Sequence, residues 1–399
     1  MAPPPARPNL SRARWATRAQ FFHLGFVGGV WGVHVPSVKA TYTLDERALA
    51  GVLLASSCGS LLTLAFAGRA VAQWGVRKTT WLAALSYTTA FAVCLHLPGP
   101  WFLIPVMLLL GGGESVYDVA INAEGTTLEV MSQREVMSGF HGMFSLGAMA
   151  GAAAAALMLR AQLTAPIQML GVAVAVATGV TIATRGMLPQ HPAVDSSQAH
   201  FAWPRGTLLI IGLLTLCGMM AEGVMYNWSV LYVQQELHAP QDRAALSYVA
   251  FAGATAGMRF TGDYVRARMS ERAMLRLGPS LAAVAMLLVL LIGRPWVAML
   301  GFALVGIGLA TIVPILYNAA TRVQGVSRSA AIAAVSSIGY VGFMVGPPIV
   351  GSIAHATSLT AAMGVLVAAA SILAVGSSRV PTATTPARGE RPHDLSAFA

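Results

Sequence analysis

Twelve apolar segments, separated by shorter polar stretches, follow one another along almost the entire chain. An α-helix needs about 20 apolar residues to cross the hydrocarbon core of a bilayer. Each segment is close to or above that length, so the pattern predicts an all-α, polytopic membrane protein with twelve transmembrane helices. The predicted helices cover residues 19–40, 47–72, 79–97, 101–128, 137–160, 164–184, 206–234, 244–263, 273–293, 295–320, 329–353 and 358–378.

Three polar segments set the predicted domain boundaries. Residues 1–18 are rich in Pro and Arg, which favours a disordered N-terminus. Residues 185–205 contain Pro, Ser and His, which is typical of a linker, and they separate one bundle of six helices (19–184) from a second (206–378). Residues 379–399 are rich in Thr, Pro and Arg and are expected to form a mobile tail.

The composition excludes an ordinary soluble protein. Only 10% of the 399 residues are charged and 56% are hydrophobic, whereas soluble domains carry about 25% charged residues. The net charge of +10 would suggest a nucleic-acid partner for a soluble protein. Here the basic residues fall between the apolar segments and act as topology signals, so no nucleic-acid partner is expected.

The basic residues are distributed unequally between the two sides of the predicted bundle. Cytoplasmic loops of membrane proteins carry an excess of Lys and Arg. If both termini lie on the same side, that side receives all but five of the 25 basic residues, and we therefore expect both termini in the cytoplasm. The five exceptions are Lys39, Arg47, Arg160, Arg243 and Arg294.

The two sets of six segments share motifs at an almost constant offset of about 196 residues. Trp31 corresponds in this way to Trp228, and the Arg-Ala pair that begins at Arg47 corresponds to the pair that begins at Arg243. Glycine pairs in the fifth and eleventh segments follow the same offset. The offset predicts two pseudo-symmetric six-helix bundles, arranged as parallel repeats about an axis normal to the membrane.

Several motifs resemble those of the major facilitator superfamily. Residues 68–78 (GRAVAQWGVRK) resemble the signature between the second and third helices of that superfamily, and residues 259–268 (RFTGDYVRAR) resemble its second copy. The resemblance is closer to the fucose-permease-like branch and its uncharacterised bacterial inner-membrane members. Four further stretches carry it: 118–124 (DVAINAE), 137–145 (MSGFHGMFS), 222–232 (EGVMYNWSVLY) and 339–348 (GYVGFMVGPP).

This resemblance implies a secondary active transporter of the bacterial inner (plasma) membrane, with a monomer as the expected state. Two bundles would rock about a central site and expose it alternately to each side. In the fucose-permease-like branch, an acid followed four residues later by Asn contributes to substrate and proton handling, and Asp118 and Asn122 match these positions. The solute is expected to be small and polar, with a sugar or sugar derivative favoured. The signature loops imply gating residues, here Gly75, Arg77, Lys78, Asp263 and Arg266.

Acidic residues inside the apolar segments indicate the chemistry independently of the resemblance. Glu114, Asp118 and Asn122 are spaced four residues apart and lie on one stripe of the fourth helix. A carboxylate at membrane depth costs roughly 2.5–3.5 kcal/mol on insertion scales, so such residues usually face a cavity or a partner. Two carboxylates this close do not both ionise easily, and one is expected to hold a proton near neutral pH. Together with Glu222 in the seventh helix, these acids are the candidate proton carriers.

Aromatic, hydroxyl and amide side chains in the apolar segments are the candidate substrate ligands. Sugars and polyols are held by aromatic faces against C–H groups and by amides against hydroxyls. The alternative for each residue is structural, either in an aromatic belt at the membrane interface or in a hydrogen bond between helices. The candidates are Trp31, Asn122, His141, Tyr226, Asn227, Trp228, Tyr317 and Asn318.

Three other classes of function compete with this interpretation. A proton-driven exporter of a drug or metabolite would use the same acids, and composition does not separate it from an importer. A non-transporting sensor or scaffold would need a signalling domain, whereas the chain offers only a short linker and tail. An enzyme is least expected, because the sequence shows no activated nucleophile or metal cluster, and no lysine of a nucleotide loop follows the glycines at 111–113. No cofactor is expected, and the expected partners are the solute, the proton and the lipid bilayer.

Overall fold

The computed structural model describes residues 9–134, 136–189, 191 and 204–382, except for the side chain of Asp263. This part of the chain contains thirteen α-helices and no β-strand. The first six are α1 (Leu10–Thr41), α2 (Glu46–Trp74), α3 (Val76–Val93), α4 (Leu103–Ser132), α5 (Met137–Arg160) and α6 (Ala165–Thr184). The others are α7 (Thr207–Gln235), α8 (Gln241–Arg266), α9 (Glu271–Ile292), α10 (Pro295–Leu309), α11 (Ile312–Ala320), α12 (Arg328–Ala356) and α13 (Leu359–Gly376).

These helices make twelve membrane crossings, because α10 and α11 together form the tenth. Pro314, in the first turn of α11, lacks an N–H, and its ring crowds the carbonyl of Ala310, where the helix is interrupted. Ten crossings in the described part of the chain have the length and hydropathy of a membrane span. The other two are less apolar: α3 contains Arg77 and Lys78, and α8 contains Arg243 and Arg259. The predicted all-α fold with twelve transmembrane helices is confirmed.

The packing of the helices repeats between the N-half (α1–α6) and the C-half (α7–α13). In the N-half, α1 packs on α5 and α6, and α4 packs on α2 and α3. In the C-half, α7 packs on α12 and α13, and α10 packs on α8 and α9. The two halves meet symmetrically as well, since α5 contacts α8, α2 contacts α12, and α1 contacts α7. The motif offset in the sequence therefore corresponds to two pseudo-symmetric bundles.

The first helix begins earlier than the composition predicts. The sequence predicts disorder up to residue 18, but α1 begins at Leu10, so this prediction is wrong from that residue onward. The side chain of Asn9 accepts a hydrogen bond from the backbone N–H of Arg12 at 3.0 Å and caps the helix. Residues 1–8 lie outside the described part of the chain.

The linker and the C-terminal segment are both anchored where they leave the helices. Glu124 of α4 is fully buried, and its carboxylate accepts hydrogen bonds from the backbone N–H of Leu188 and from the ring of His191. After α13 the chain makes a 3-10 turn, and Val380 is buried in the core. Burial of this apolar side chain makes the prediction of a mobile tail wrong for its first residues. Residues 190, 192–203 and 383–399 lie outside the described part of the chain.

The two ends of the bundle differ in how closely the halves meet. We call the end at which α1 and α7 begin the terminal face, and the opposite end the distal face. At the distal face, a Cβ on Gly351 of α12 would lie only 2.2 Å from the Cβ of Ala50 on α2. Gly68 of α2 and Ala333 of α12 lie on the same faces of these helices as Ala50 and Gly351, about five turns closer to the terminal face. Both are exposed. The molecule is therefore closed at the distal face, whereas at the terminal face these positions of α2 and α12 are not packed against each other. We call this conformation open at the terminal face.

A chain of polar contacts joins the halves at the distal face. The side-chain amide of Gln241, at the start of α8, donates to the carbonyl of Val33 at 2.7 Å and to the hydroxyl of Ser37 at 2.9 Å. The Ser37 hydroxyl also lies 3.1 Å from the ring of His34, which bonds to Gln168 of α6 at 2.9 Å. Two helices of the N-half are thus tied to the first turn of α8.

Replacement of Gln241 by alanine is expected to weaken this closure. The change removes two hydrogen bonds between the halves, which together contribute about 1–3 kcal/mol. Their loss is expected to increase the population open at the distal face by roughly 5–150-fold. The labelling rate of a single cysteine at Ala50 by a membrane-impermeant thiol reagent measures this population. Gln235→Ala, at the exposed end of α7, is the matched control. An unchanged labelling rate in Gln241→Ala would show that this contact does not hold the distal face closed.

Candidate functional site

Three polar residues of α4 lie on one stripe of that helix. Glu114, Asp118 and Asn122 recur every fourth residue, and all three are half-buried. The amide of Asn122 donates to Oδ1 of Asp118 at 3.0 Å and to the carbonyl of Asp118 at 2.8 Å. Glu114 makes no hydrogen bond or ion pair with any residue that the structure describes. The N-half therefore presents two carboxyl groups, of which only one has an amide donor.

The C-half contributes a carboxylate and a guanidinium. Glu222 of α7 is only 9% exposed, and its Oε2 lies 3.7 Å from Nη2 of Arg259 on α8. This separation is that of an ion pair without a hydrogen bond. Nη1 of Arg259 donates to the hydroxyl of Ser145 on α5 at 2.8 Å. A charged side chain of the C-half is thus bonded to the N-half within the membrane-spanning part of the bundle.

Two tyrosines of the C-half lie near the acids of the N-half. The hydroxyl of Tyr317 in α11 lies within electrostatic range of both Asp118 and Glu222. The hydroxyl of Tyr340 in α12 lies within electrostatic range of Asp118 and Glu114. Because helices of both halves contribute to one group of interacting residues, this group lies between the halves. We call its members the central cluster: Glu114, Asp118, Glu222, Arg259, Tyr317 and Tyr340.

The central cluster contains three carboxyl groups and one fixed positive charge. Arg259 does not lose its proton in proteins, and among the side chains that the structure describes it forms an ion pair with Glu222 alone. Ionised carboxylates that lack a counter-ion are costly at membrane depth. The cluster is therefore suited to binding protons, or a solute that brings hydrogen-bond donors. Within the described residues, no group of three or more His, Cys, Asp or Glu side chains could hold a metal ion.

Four predicted substrate ligands lie at or beside the central cluster, or are exposed on the same helices. Tyr317 is a member of the cluster, and Asn122 is bonded to Asp118. His141 has an exposed side chain within electrostatic range of Arg259. Asn318 is exposed on α11, next to Tyr317 in the chain. Asn122 and Tyr317 are half-buried, and His141 and Asn318 are exposed.

The other four predicted ligands are less accessible. Trp228 is fully buried in the core, so it does not line the space between the halves in this conformation. Tyr226 is half-buried, with its ring edge-on to Phe251 at a centroid distance of 5.5 Å. The amide of Asn227 donates to a backbone carbonyl one turn earlier in α7, at 3.0 Å. Trp31 is half-buried and packs against the core.

The predicted gating residues lie at the terminal face. Gly75 adopts a φ of +79°, which glycine accommodates without strain, and lets α3 start directly after α2. Nε of Arg77 donates to a backbone carbonyl at the end of α6 at 3.1 Å. Lys78 and Arg266 are exposed and form no ion pair among the described residues. The side chain of Asp263 lies outside the described residues, and the gating role that the resemblance implies for these five residues stays a prediction.

Two members of the central cluster were not singled out from the sequence. Arg259 falls in a stretch that resembles a surface loop, but α8 continues to Arg266 and places Arg259 about two turns inside the helix. The signal for it was available, because a basic residue inside the predicted helix 244–263 is costly unless it has a partner. Tyr340 carries no charge and lies in a glycine-rich helix, so nothing distinguishes it from a packing residue.

Known sequences resemble this chain over most of its length. The sequence profile of the Major Facilitator Superfamily matches residues 19–324 and, in a second match, residues 208–398. An uncharacterised MFS-type transporter of Yersinia pestis is 30% identical over 368 residues, which cover 90% of this chain and 93% of that protein. Membrane protein MosC of Rhizobium meliloti is also 30% identical over 368 residues, which cover 90% of this chain and 89% of that protein.

Solved structures share the fold at low sequence identity. A D-xylose–proton symporter superposes with a TM-score of 0.75 at 12% identity, covering 93% of this chain and 98% of that one. A mutant of the nucleoside transporter NupG gives a TM-score of 0.72 at 12% identity, covering 92% and 98%. The transporter FucP in the outward conformation gives a TM-score of 0.63 at 14% identity, covering 92% and 99%. Sequence and fold agree, and this chain belongs to the Major Facilitator Superfamily of membrane transporters.

Proposed function

We propose that this protein is a secondary active transporter that moves a small polar solute by alternating access and couples this movement to protons. The observation that carries the proposal is the central cluster, in which Asp118 of one half and Glu222 of the other lie within electrostatic range of the same hydroxyl, that of Tyr317. A site built from both halves changes its exposure when the halves move. Its carboxyl groups can then exchange protons with whichever side the site faces.

A sugar or sugar derivative is the solute that fits this site best. Tyr317, Asn318 and Asn122 offer hydroxyl and amide groups that match the hydroxyls of a sugar both as donors and as acceptors. The tyrosine rings of the central cluster add apolar faces for its C–H groups. The symporters of D-xylose and of fucose among the structural neighbours support the same choice.

The terminal face is the cytoplasmic one in this proposal. The excess of basic residues on that side supports the assignment, and relatives from bacteria support placement in a bacterial inner membrane. With this orientation, the described conformation is open to the cytoplasm and closed to the outside. A conformation open at the distal face would complete the transport cycle.

Uptake into vesicles reconstituted with the purified protein tests the proposal. Labelled sugars, polyols, sugar acids, amino sugars and nucleosides are offered with and without an imposed pH gradient. We expect one class to accumulate only with the gradient, and unlabelled members of that class to compete for uptake. If the gradient drives solute out of the protein-containing vesicles instead, the protein is a proton-driven exporter. If no class responds to the gradient, proton coupling is contradicted.

A further inference from the structure

Arg259 occupies a position that proton carriage by the acids does not explain. Its guanidinium lies between two partners in different halves: the carboxylate of Glu222 at 3.7 Å in the C-half and the hydroxyl of Ser145 at 2.8 Å in the N-half. The side chains of Arg259 and Glu222 are only 17% and 12% exposed. Ser145 is itself held by its own helix, because its hydroxyl donates to the carbonyl of His141 at 3.3 Å.

The backbones around this contact are close together. The ring of Phe260 on α8 occupies the position next to Gly142 of α5, where a Cβ would meet it at 2.5 Å. The hydroxyl of Ser138 on α5 donates to the carbonyl of Arg259 at 3.3 Å. If the Arg259 side chain changes direction, it therefore alters a region in which α5 of the N-half and α8 of the C-half are in contact.

The charge of Arg259 needs a partner in every state of Glu222. Arginine does not lose its proton in proteins, and an uncompensated charge at this depth is costly. An ionised Glu222 compensates this charge within the C-half. After Glu222 takes up a proton, the other carboxyl groups of the central cluster belong to α4 of the N-half. Asp118 lies within electrostatic range of the same Tyr317 hydroxyl as Glu222, so it is the described carboxylate that we expect to replace Glu222.

We propose that Arg259 is a positioning residue that transmits the protonation of Glu222 to the contact between the halves. The inference rests on the proposed function, in which Glu222 exchanges protons. With Glu222 ionised, Arg259 stays with the C-half and bonds to Ser145, as in the conformation open at the terminal face. With Glu222 protonated, the guanidinium leaves Ser145 for Asp118 and draws the ends of α8 and α4 together. Proton binding thereby favours closure of the terminal face.

Other titratable groups face this pair from the neighbouring helices. Among the described side chains they are His141 on α5, Tyr226 on α7 and Tyr317 on α11, and Asp118 on α4 lies within electrostatic range of Tyr317. Tyrosine titrates near pH 10, so the two tyrosines do not produce a response around neutrality. Asp118 and His141 are the groups that could produce one without Arg259, and the test therefore includes variants of both.

The distance between the terminal-face ends of α2 and α12 tests the inference. Spin labels are attached at Ala72→Cys and Ala333→Cys, both exposed positions, in a protein without its three native cysteines. Distances are measured by pulsed EPR over a range of pH, in vesicles without solute. In the wild-type background, we expect the population with a long distance between the labels to decrease as the pH falls, and the population with a short distance to increase. Glu222→Gln should keep the short distance at every pH, and Arg259→Lys, which keeps the charge but not the planar fork, should lose the response.

A double variant separates charge coupling from structural damage. The combination of Glu222→Gln with Arg259→Gln removes both charges, so neither side chain is left as an uncompensated charge. We expect this double variant to be thermally more stable than Arg259→Gln alone and to show no pH response. A response that survives Arg259→Gln but disappears in His141→Gln or Asp118→Asn would overturn the inference. The inference would also be overturned if the wild-type protein accumulates solute with the pH gradient but the distance between the spin labels does not change with pH. A distance response without transport of any solute would contradict the proposed function instead.

Discussion

Replacement of Asp118 by asparagine is expected to abolish accumulation of the solute against its gradient and to leave solute exchange intact. Asparagine keeps the shape of the side chain and an oxygen for the amide of Asn122, which donates to Asp118 at 3.0 Å. It can neither carry a proton nor compensate the charge of Arg259 when Glu222 is protonated. A pH difference of one unit stores about 1.4 kcal/mol per proton and sustains about tenfold accumulation at one proton per solute. The accumulation ratio should fall from about this value to about one.

The measurement is uptake of the identified solute into vesicles with an imposed pH gradient, beside counterflow of the same solute without a gradient. Asp242→Asn makes the same chemical change in the first turn of α8, at the distal face, and should accumulate solute like the wild type. If Asp118→Asn also accumulates solute like the wild type, proton coupling does not require Asp118. Glu222 or Glu114 would then carry protons without it.

The polar stripe of α4 can be predicted from the sequence because helical periodicity is a local property. The spacing of Glu114, Asp118 and Asn122 gives them one shared face whatever surrounds the helix. The helices themselves follow from apolar segments that are long enough to cross a bilayer. Both features depend only on residues that are close together in the chain.

The contacts across the central cluster depend on residues far apart in the chain, and the sequence alone does not predict them. Arg259 bonds to Ser145, which is 114 residues away. The orientation of α7 is similarly hidden, because this helix is apolar around most of its circumference and buried along most of its length. Trp228 therefore points into the core although its neighbour Asn227 is half-buried, and no periodicity distinguishes the two.

The face that is open could not be predicted from the sequence either. A transporter that alternates between two conformations must bury nearly the same apolar pattern in both, so the pattern does not favour one of them. The distal closure rests on an amide of Gln241 that bonds to a backbone carbonyl and a hydroxyl. Such a contact has no sequence signature, because any backbone carbonyl can accept it.

Replacement of Gly29 by alanine is expected to destabilise the N-half strongly. A Cβ at Gly29 would lie 2.0 Å from the carbonyl oxygen of Ala148 on α5, and one at Gly25 would lie 1.9 Å from that of Phe144. Overpacking of a core typically costs about 1–3 kcal/mol. Because the obstacle here is backbone and not a flexible side chain, we expect the cost of Gly29→Ala to reach or exceed the upper end of that range. Thermal unfolding in detergent and the monodisperse fraction on gel filtration measure the effect.

Gly28→Ala is the matched control, because no atom lies within 4 Å of a Cβ at Gly28. Alanine is favoured over glycine in a helix interior by about 0.5–1 kcal/mol, so this variant should be as stable as the wild type or slightly more stable. Equal effects at the two positions would contradict close packing of α1 on α5. If some Gly29→Ala protein does fold, its α1 and α5 must stand further apart. Ser145, less than one turn from Ala148 on α5, should then lose its hydrogen bond to Arg259, and the pH response that depends on this bond should weaken with it.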